Sequence, residues 1–430
     1  MCSTHTMAVF KEAGANACFC LLSRRVSKIT AAMPSRAMDC LRRLVPFRYF
    51  GRTDNMERSD KKMTPQIHSF SAYQDRIVMS LVEKQFFLNR TVSKSKYVSV
   101  LGLLIAGSLF ANQPEQVSIH DPAMAKEGDT YYLFSTGPGV TFYSSKDMET
   151  WKLRGRVFPG EPSWARRVAS DFNGHIWGPD IVHHDGKFYL YYAVSAFGKN
   201  TSAIGVTVNK TLNPDSPDYK WEDRGIVLKS VPKRDLWNAI DPNIIVDENG
   251  VPWMSFGSFW SGIKLVKLDS SWTALAEPQE WFSIAKRERS VLIDDREPGP
   301  AEIEAPFIFK KGDYYYLFVS WGLCCRGKDS TYRIMVGRSK DVKGPYLDKD
   351  GRSMAEGGGS LVLAGNNKWY GVGSNSAYTF DGKGYLVFHA YEAADNGLQK
   401  LKIAEIKWDA MQWPVIDEKV LDEYKSVLVE

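Results

Sequence analysis

The sequence has few cysteines, and their placement excludes a fold held together by several disulfides. Of the six cysteines, four lie within residues 1–40, and the other two, Cys324 and Cys325, are adjacent. Two neighbouring thiols cannot form a disulfide framework, and a metal site needs more ligands than their loop offers. Two alternatives stay open for this pair: a vicinal disulfide in an oxidising compartment, or two free thiols.

The sequence also lacks a hydrophobic stretch long enough to cross a membrane as a helix. The uncharged segment 97–111 follows two lysines and ends in small residues, but it is shorter than the roughly 20 residues that a membrane-spanning helix needs. These features are typical of a secretory signal that starts at Met79 and is cleaved at Ala106-Gly107-Ser108 or at Ala111, and the alternative is an uncleaved amphipathic anchor. We therefore expect residues 1–111 to be an N-terminal extension and residues 112–430 to be one secreted or periplasmic domain.

Residues 112–430 have no excess of basic residues. Residues 1–111 contain 17 Lys and Arg against 7 Asp and Glu, whereas the remainder contains 38 against 43. A slightly acidic domain without a basic stripe argues against nucleic acid as a partner. We expect neither a nucleic acid nor, once the signal is removed, a membrane as partner, and we expect the chain to be a monomer.

Helical periodicity is nearly absent after residue 111, whereas one β-type unit occurs five times. Each unit has a short apolar run, a turn with glycine and an aromatic-rich run, as in "EAPFIFKKGDYYYLFVS". The turn glycines, which tolerate the positive φ of tight hairpins, recur every 58 to 70 residues and are Gly128, Gly186, Gly250, Gly312 and Gly382. This repeat predicts an all-β fold, a five-bladed β-propeller. A β-sandwich or a parallel β-helix is the alternative.

Carboxylic acids stand at the openings of four of these units. They are Asp121, Asp180, Asp241 and Glu304, which we align at one equivalent place. The first strand of each blade lies nearest the propeller axis, so residues at that place are expected to converge at one mouth of the channel. Each acid taken alone is better explained by a strand-start turn than by a functional role. Several together favour a functional site, because buried carboxylates repel one another.

Two carboxyl groups that face each other across a polar pocket are what glycoside hydrolysis requires. One protonates the leaving oxygen and the other activates water, and a third acid nearby would raise the pKa of the proton donor. Aromatic rings in "GHIWGPD", "WNAIDPN" and "SFGSFWSG" suit stacking on sugars, although packing between blades is the alternative for most rings. The substrate contacts that we expect from these motifs are Trp177, Asn238, Phe259, Trp260 and Ser261.

The sequence resembles glycoside hydrolase family 43, and within it the endo-arabinanases, over about residues 115–425. The matching motifs are "SIHDPAMAKEGDTYYLFSTG", "WGPDIVHHDGKFYLYYAVSAFG", "WNAIDPNIIVDENG", "GSFWSGI", "IEAPFIFKKGDYYYLFVSWGLCCRGKDSTYRI" and "FHAYE". The resemblance implies inverting hydrolysis of internal α-1,5 bonds in arabinan. By motif position it implies Asp121 as general base, Asp241 as the acid that tunes the pKa, and Glu304 as general acid. Asp180 matches no catalytic position, so we expect a structural or substrate-contacting role for it.

His389, in "YLVFHAYE", is the remaining channel candidate. Composition alone favours a core histidine, but the arabinanases that the sequence resembles use a histidine at this motif to hold a metal on the propeller axis. The resemblance thus implies a calcium ion bound by His389. Water would complete its shell, because calcium prefers oxygen ligands.

Two alternatives to endo cleavage stay open. Exo-acting arabinofuranosidases and β-xylosidases use the same three acids, so the acids do not separate them from an endo-arabinanase. Endo action needs a cleft open at both ends, whereas exo action needs a blocking loop. A non-catalytic sugar-binding propeller would lack one of the acids, and all three are present.

Overall fold

Short strands are the main regular structure of residues 115–429, the part of the chain that the computed structural model describes. The expected extension, residues 1–111 with its signal segment 97–111, lies outside the described residues. In the described residues no helix is both long enough and apolar enough to cross a membrane.

The strands are numbered in chain order. The first five are β1 (Ala123–Glu127), β2 (Thr130–Ser135), β3 (Gly137–Pro138), β4 (Thr141–Ser145) and β5 (Thr150–Arg156). The next eight are β6 (His175–His184), β7 (Lys187–Val194), β8 (Ser202–Asn209), β9 (Glu222–Ser230), β10 (Asn243–Val246), β11 (Pro252–Phe256), β12 (Ile263–Lys267) and β13 (Trp281–Ala285). The last ten are β14 (Ile303–Lys311), β15 (Tyr314–Trp321), β16 (Arg333–Ser339), β17 (Ser360–Ala364), β18 (Trp369–Phe380), β19 (Lys383–Glu392), β20 (Leu398–Glu405), β21 (Lys407–Trp408), β22 (Pro414–Val415) and β23 (Val427–Val429). The described helices are short: α1 (Ala165–Val168) and three 3-10 helices at Gly327–Asp329, Met354–Glu356 and Glu418–Leu421.

Five sheets follow one another along the chain and form the blades of a propeller. The strand orders are β1-β2-β4-β5-β23 in blade 1, β3-β6-β7-β8-β9 in blade 2, β10-β11-β12-β13 in blade 3, β14-β15-β16-β17 in blade 4 and β18-β19-β20 in blade 5. The strands β1, β6, β10, β14 and β18 contact one another in a closed ring, so they surround the axis. The predicted five-bladed propeller is confirmed.

The repeated glycines form the hairpin between the inner strand of each blade and its neighbour. Their φ values lie between 55° and 79°, a backbone conformation that residues with a Cβ rarely adopt. A Cβ at any of the five positions would meet nothing within 4 Å. The turns therefore need glycine for its backbone freedom and not for space, as the sequence predicts.

The hydrophobic core consists of five clusters, and each cluster lies between two consecutive blades. The fifth joins blade 5 to blade 1, where Val387 packs near Leu133, so the ring of clusters is closed. Representative pairs in the other four clusters are Phe134 with Leu190, Tyr191 with Met254, Trp253 with Tyr315, and Phe318 with Phe388. Most aromatic rings of the repeats are thus used for packing between blades.

The two ends of the described chain close the ring at blade 1. Strand β23 lies parallel to β5 and pairs Leu428 with Trp151. The Val117 amide donates to the Ser426 carbonyl at 2.8 Å, and the Leu401 amide of blade 5 donates to the Val117 carbonyl at 3.0 Å. Backbone hydrogen bonds therefore link the last blade, the first residues and the C-terminal strand.

Removing residues 426–430 is expected to lower the free energy of unfolding by about 2–4 kcal/mol, because these hydrogen bonds and the burial of Leu428 are lost. Urea unfolding followed by tryptophan fluorescence measures the change. Val429→Ala, on an exposed side chain of the same strand, is the control and should change the free energy by less than about 0.5 kcal/mol. An unchanged unfolding midpoint in the truncated chain would mean that the ring closes without β23.

Candidate active site

A kink with one residue in the left-handed backbone conformation stands at the inner strand of every blade. The residues at these five kink positions have φ between 45° and 56° and are Asp121, Gly178, Asp241, Ala305 and Ser374. Because residues other than glycine rarely adopt this conformation, the propeller imposes it whatever the side chain. All five kink residues line one narrow channel on the axis, which brings Asp121 and Asp241 together.

The sequence alignment of the four acids is wrong for two of them. Asp180 lies two residues after the kink at Gly178, and Glu304 lies one residue before the kink at Ala305. The strand pairing is irregular across both kinks, over residues 177–180 and 304–307, and the proline that follows each kink residue, Pro179 and Pro306, is the correct point of alignment. Glu304 consequently lines the wide cavity at the channel mouth, whereas Asp180 lines the narrow channel.

Asp121 is surrounded by groups that stabilise its charged form. Thr136 Oγ1 donates to Asp121 Oδ2 at 2.5 Å, and Nδ1 of His120 lies 2.8 Å from Oδ1. Burial opposes ionisation, but the electrostatic interaction and the hydrogen bond with His120, together with a smaller electrostatic interaction with His389, outweigh it, so the pKa of Asp121 lies well below its ordinary value. Asp121 is therefore a carboxylate that can accept a proton.

Asp241 has the opposite electrostatic environment. Burial, followed by the carboxyl groups of Glu304 and Asp121, raises the pKa of Asp241 well above its ordinary value. The Ala305 amide donates to Asp241 Oδ2 at 3.1 Å. A Cβ on Gly178 would stand 2.6 Å from Asp241 Oδ1, so glycine at this kink leaves the room that the carboxyl group occupies.

Glu304 is buried and is held by two hydroxyl groups. Ser258 Oγ donates to Glu304 Oε2 at 2.6 Å, and the Tyr332 hydroxyl donates to Oε1. Burial raises the pKa of Glu304 above its ordinary value despite these two hydrogen bonds, and the charge of Asp121 raises it further. Glu304 can therefore hold a proton at a pH where Asp121 is ionised.

One open cavity of about 800 Å³ contains all three acids. Four of the five expected substrate contacts line the same cavity: Trp177, Asn238, Phe259 and Trp260. Trp260 is only 2% exposed, and its Nε1 donates to the Asp295 carbonyl at 2.9 Å, so this ring mainly anchors a loop. Ser261 lines a neighbouring cavity, and its hydroxyl donates to the Leu236 carbonyl.

Sequence reasoning did not single out the residues that orient the acids. These residues are His120, Thr136, Ser258, Tyr332 and Tyr391. All of them stand inside or beside the motifs quoted above, for example His120 in "SIHDPAM" and Tyr391 in "FHAYE". That proximity was the available signal, because residue type alone does not distinguish a hydroxyl that contacts an acid from one that packs.

His389 is fully buried beside Asp121. Its Nδ1 lies 3.3 Å from the Asp121 amide nitrogen and 4.0 Å from Asp121 Oδ1. Burial and the charge of His120 keep the pKa of His389 well below its ordinary value, so the ring is neutral. Within residues 115–429, Nε2 has no hydrogen-bond partner. Because Nδ1 accepts a hydrogen bond from the Asp121 amide, the proton of the neutral ring lies on Nε2, and Nε2 can bind a metal only after that proton has moved to Nδ1 and this hydrogen bond is lost.

Asp180 links blades 2 and 3. Its Oδ2 accepts hydrogen bonds from the Ile244 amide at 2.7 Å and from Asn243 Nδ2 at 3.2 Å. Burial raises the pKa of Asp180 to about 7. The next blade repeats the contact, because Asn243 Oδ1 accepts from the Ile308 amide at 2.8 Å. These contacts favour the structural alternative for Asp180.

Cys324 and Cys325 form a disulfide, which is one of the two alternatives that the sequence leaves open. Both residues line the cavity of the three acids. Cys325 has a left-handed backbone with φ of 67°, and its Sγ lies 3.7 Å from His120 Nε2. The disulfide therefore stands directly beside the residue that contacts Asp121.

Comparison with known proteins gives one family and two groups of relatives. The model of the family "Glycosyl hydrolases family 43" matches residues 114–414. An extracellular exo-α-(1→5)-L-arabinofuranosidase of Cellvibrio japonicus is 66% identical over 330 residues, which are 77% of this chain and 94% of that protein. An extracellular endo-α-(1→5)-L-arabinanase of Bacillus subtilis is 41% identical over 300 residues, 69% of this chain and 87% of that protein.

Solved structures of arabinanases are also similar to this chain. The α-L-arabinanase of Cellvibrio cellulosa in complex with arabinohexaose is 67% identical, with a TM-score of 0.73 over 73% of this chain and 100% of that chain. The arabinanase of Bacillus subtilis is 40% identical, with a TM-score of 0.61 over 70% of this chain and 99% of that chain.

Proposed function

Because the chain belongs to glycosyl hydrolases family 43, we propose that it hydrolyses α-1,5-linked arabinan and that it does so from a chain end. One observation carries the hydrolysis: a single cavity contains Asp121, whose pKa is lowered, and Glu304, whose pKa is raised. A glycosidase needs such a pair, because one carboxyl group must accept a proton while the other donates one.

In the proposed reaction a water molecule attacks the anomeric carbon while Asp121 takes its proton. Glu304 gives its proton to the glycosidic oxygen, so the leaving sugar departs and the configuration is inverted. Asp241 opposes ionisation of Glu304, because two buried negative charges would repel each other. Thr136 and His120 hold the base, and Ser258 and Tyr332 hold the acid.

Cleavage from a chain end is supported by the relative of Cellvibrio japonicus, which is an exo-acting enzyme and shares two thirds of its aligned residues with this chain. The complex of the Cellvibrio cellulosa relative with arabinohexaose supports an arabino-oligosaccharide as ligand. Cleavage of internal bonds, expected from the sequence motifs, is the second candidate, and the similarity to the endo-acting relative of Bacillus subtilis favours it.

Product sizing at low conversion tests both candidates. Linear arabinan is incubated with the protein, and products are separated while less than about 5% of the bonds are cleaved, with xylo-oligosaccharides in parallel. A single short product with slowly falling viscosity is the expected result. A ladder of oligomers with a rapid fall in viscosity would replace exo by endo action. Release of xylose alone, or no product from either substrate, would refute arabinan hydrolysis.

Tyr332→Phe is expected to move the alkaline limb of the pH profile of kcat/KM upwards by about 0.5–1 pH unit. The hydroxyl of Tyr332 stabilises the ionised form of Glu304, so its removal raises the pKa of Glu304 further. The general acid must be protonated, so activity is lost as pH rises through that pKa, and a higher pKa extends the active range. Ser258→Ala should move the limb in the same direction. A downward movement in both variants would contradict the role of Glu304 as acid.

We also infer that His389 binds a calcium ion through Nε2, with water as its other ligands; binding would require the ring proton to move to Nδ1 and the hydrogen bond from the Asp121 amide to be given up. When bound, the ion would supply positive charge near Asp121 and favour the carboxylate. Elemental analysis of dialysed protein is expected to find about one calcium per chain, and His389→Ala should lose it. Lys383→Ala, at an exposed residue of the same strand, is the control. Equal calcium content in wild type and His389→Ala would rule out His389 as a ligand.

We infer that the protein is secreted. This proposal is supported by the names of the Cellvibrio japonicus and Bacillus subtilis relatives, both of which are extracellular enzymes. Fractionation of cells that express the full chain, followed by N-terminal sequencing of the secreted form, tests it and tests the signal expected near residues 97–111. Protein retained in the cytoplasm would contradict secretion.

A further inference from the structure

A chain of hydrogen bonds leads from the Cys324–Cys325 disulfide to Asp121. The Cys325 amide donates to the Tyr391 hydroxyl at 2.8 Å, and that hydroxyl lies 2.7 Å from His120 Nε2. On the other side of the ring, His120 Nδ1 lies 2.8 Å from Asp121 Oδ1.

The donors and acceptors in this chain are consistent in one direction. The Tyr391 oxygen accepts the Cys325 amide proton, so its own single proton is free to be donated to His120 Nε2. With Nε2 as an acceptor, His120 donates from Nδ1 to Asp121 Oδ1. The three bonds therefore run in one consistent direction from the Cys325 amide to Asp121.

Close packing holds the middle of the chain in place. Tyr391 is 2% exposed, and a Cβ on Gly371 would approach its ring to 2.7 Å. The ring of His120 stacks on that of His389, with centroids 3.9 Å apart, and Cys325 Sγ lies 3.7 Å from His120 Nε2. Packing thus limits both rings to small movements, and the hydrogen bond from the Cys325 amide fixes the orientation of the Tyr391 hydroxyl.

The disulfide explains how Cys325 keeps its unusual backbone. A left-handed φ in a residue with a Cβ persists only where its surroundings enforce it, and Cys325 is exposed, so packing alone does not do so. The covalent bond between adjacent side chains restricts the intervening peptide. In the reduced chain Cys325 is free to adopt an ordinary φ, which turns its amide away from Tyr391.

We propose that the Cys324–Cys325 disulfide and Tyr391 are positioning groups that orient Asp121, through His120, for attack by water. The proposal rests on the role of Asp121 as general base. It differs from a second possible use of the disulfide, as an apolar surface for sugar binding, because a positioning group changes kcat and a sugar contact changes KM.

Reduction by a dithiol such as dithiothreitol tests the proposal on the full chain. The S–S bond is cleaved, each cysteine sulfur gains one hydrogen, and the dithiol is oxidised to its cyclic disulfide. We expect kcat on arabino-oligosaccharides to fall about threefold to tenfold, the effect of one lost hydrogen bond in the transition state, while KM changes less than about twofold. Reoxidation should restore kcat. The double variant Cys324→Ser/Cys325→Ser is the matched control: it should have the low kcat and show no response to the dithiol.

A double perturbation separates positioning from simple structural damage. Tyr391→Phe keeps the ring and removes the link, so its kcat should fall by a similar factor, and the dithiol should then lower it no further, because both changes break the same chain. Independent, multiplying losses would overturn the proposal, as would a change in KM without one in kcat. Failure of the general-base assignment has a different signature, namely an active Asp121→Asn variant.

Discussion

A Glu304→Gln variant is expected to hydrolyse arabinan with kcat lowered about 10²- to 10⁴-fold, because glutamine cannot supply the proton that the leaving oxygen requires. The side chain keeps its shape, and its carbonyl oxygen can still accept from Tyr332 or Ser258. The Ser258 hydroxyl can rotate to accept from the new amide group. We therefore expect the fold and the Kd for oligosaccharides to change little. Kinetics on arabinan and calorimetric titration of an oligosaccharide measure the two effects.

Substrates with different leaving groups show whether Glu304 acts as the proton donor. An aryl arabinofuranoside with a strongly electron-withdrawing ring departs without protonation, so Glu304→Gln should cleave it at nearly the wild-type rate. An equal loss on natural and activated substrates would mean that Glu304 does not act as the proton donor. Glu302→Gln, at a neighbouring residue that also lines the cavity, is the matched control and should retain activity on both.

An Asp121→Asn variant is expected to lose about 10²- to 10⁴-fold in kcat on both substrates, because attack by water needs the base whatever the leaving group is. The amide group preserves an acceptor for Thr136 or His120, but it cannot take a proton from water. The contrast with Glu304→Gln assigns the two roles separately. Full activity of Asp121→Asn would remove this residue from the mechanism.

Chemical rescue provides a second measurement at Asp121. Asp121→Gly is suited to it because φ at this position is 51° and glycine already occupies the corresponding kink in blade 2, at Gly178. The substitution leaves space beside the anomeric carbon for a small nucleophile. Azide should then restore turnover and give a glycosyl azide of inverted configuration. A product with retained configuration would contradict the inverting mechanism.

The blades could be predicted from the sequence because their turns depend on local chemistry. Each hairpin needs a residue that tolerates positive φ. The regularly spaced glycines therefore mark the hairpins in the sequence, independently of the residues between them. The three acids of the cavity follow from the same repeat, since inner strands meet at the axis. Predicting these features requires only the period of the repeat and the residue types within it.

The neighbours of the acids could not be derived in that way. Tyr391 reaches His120 across 271 positions of sequence, from blade 5 to blade 1, and only the closed ring brings them together. The different positions of Asp180 and Glu304 relative to the kink do show in the sequence, because a proline follows the kink residue in four blades, as at Gly178-Pro179 and Ala305-Pro306. Which acid is ionised depends on these contacts and not on the motif.

The five kink positions share one backbone conformation but carry chemically different side chains. The backbone there has the same left-handed shape for aspartate, glycine, alanine and serine, so the shape does not depend on the reacting groups. Two of the five positions carry reactive carboxyls. Ala305 and Ser374 are equivalent places on the same axis, and a redesigned enzyme could receive a nucleophile or an imidazole there without a new backbone.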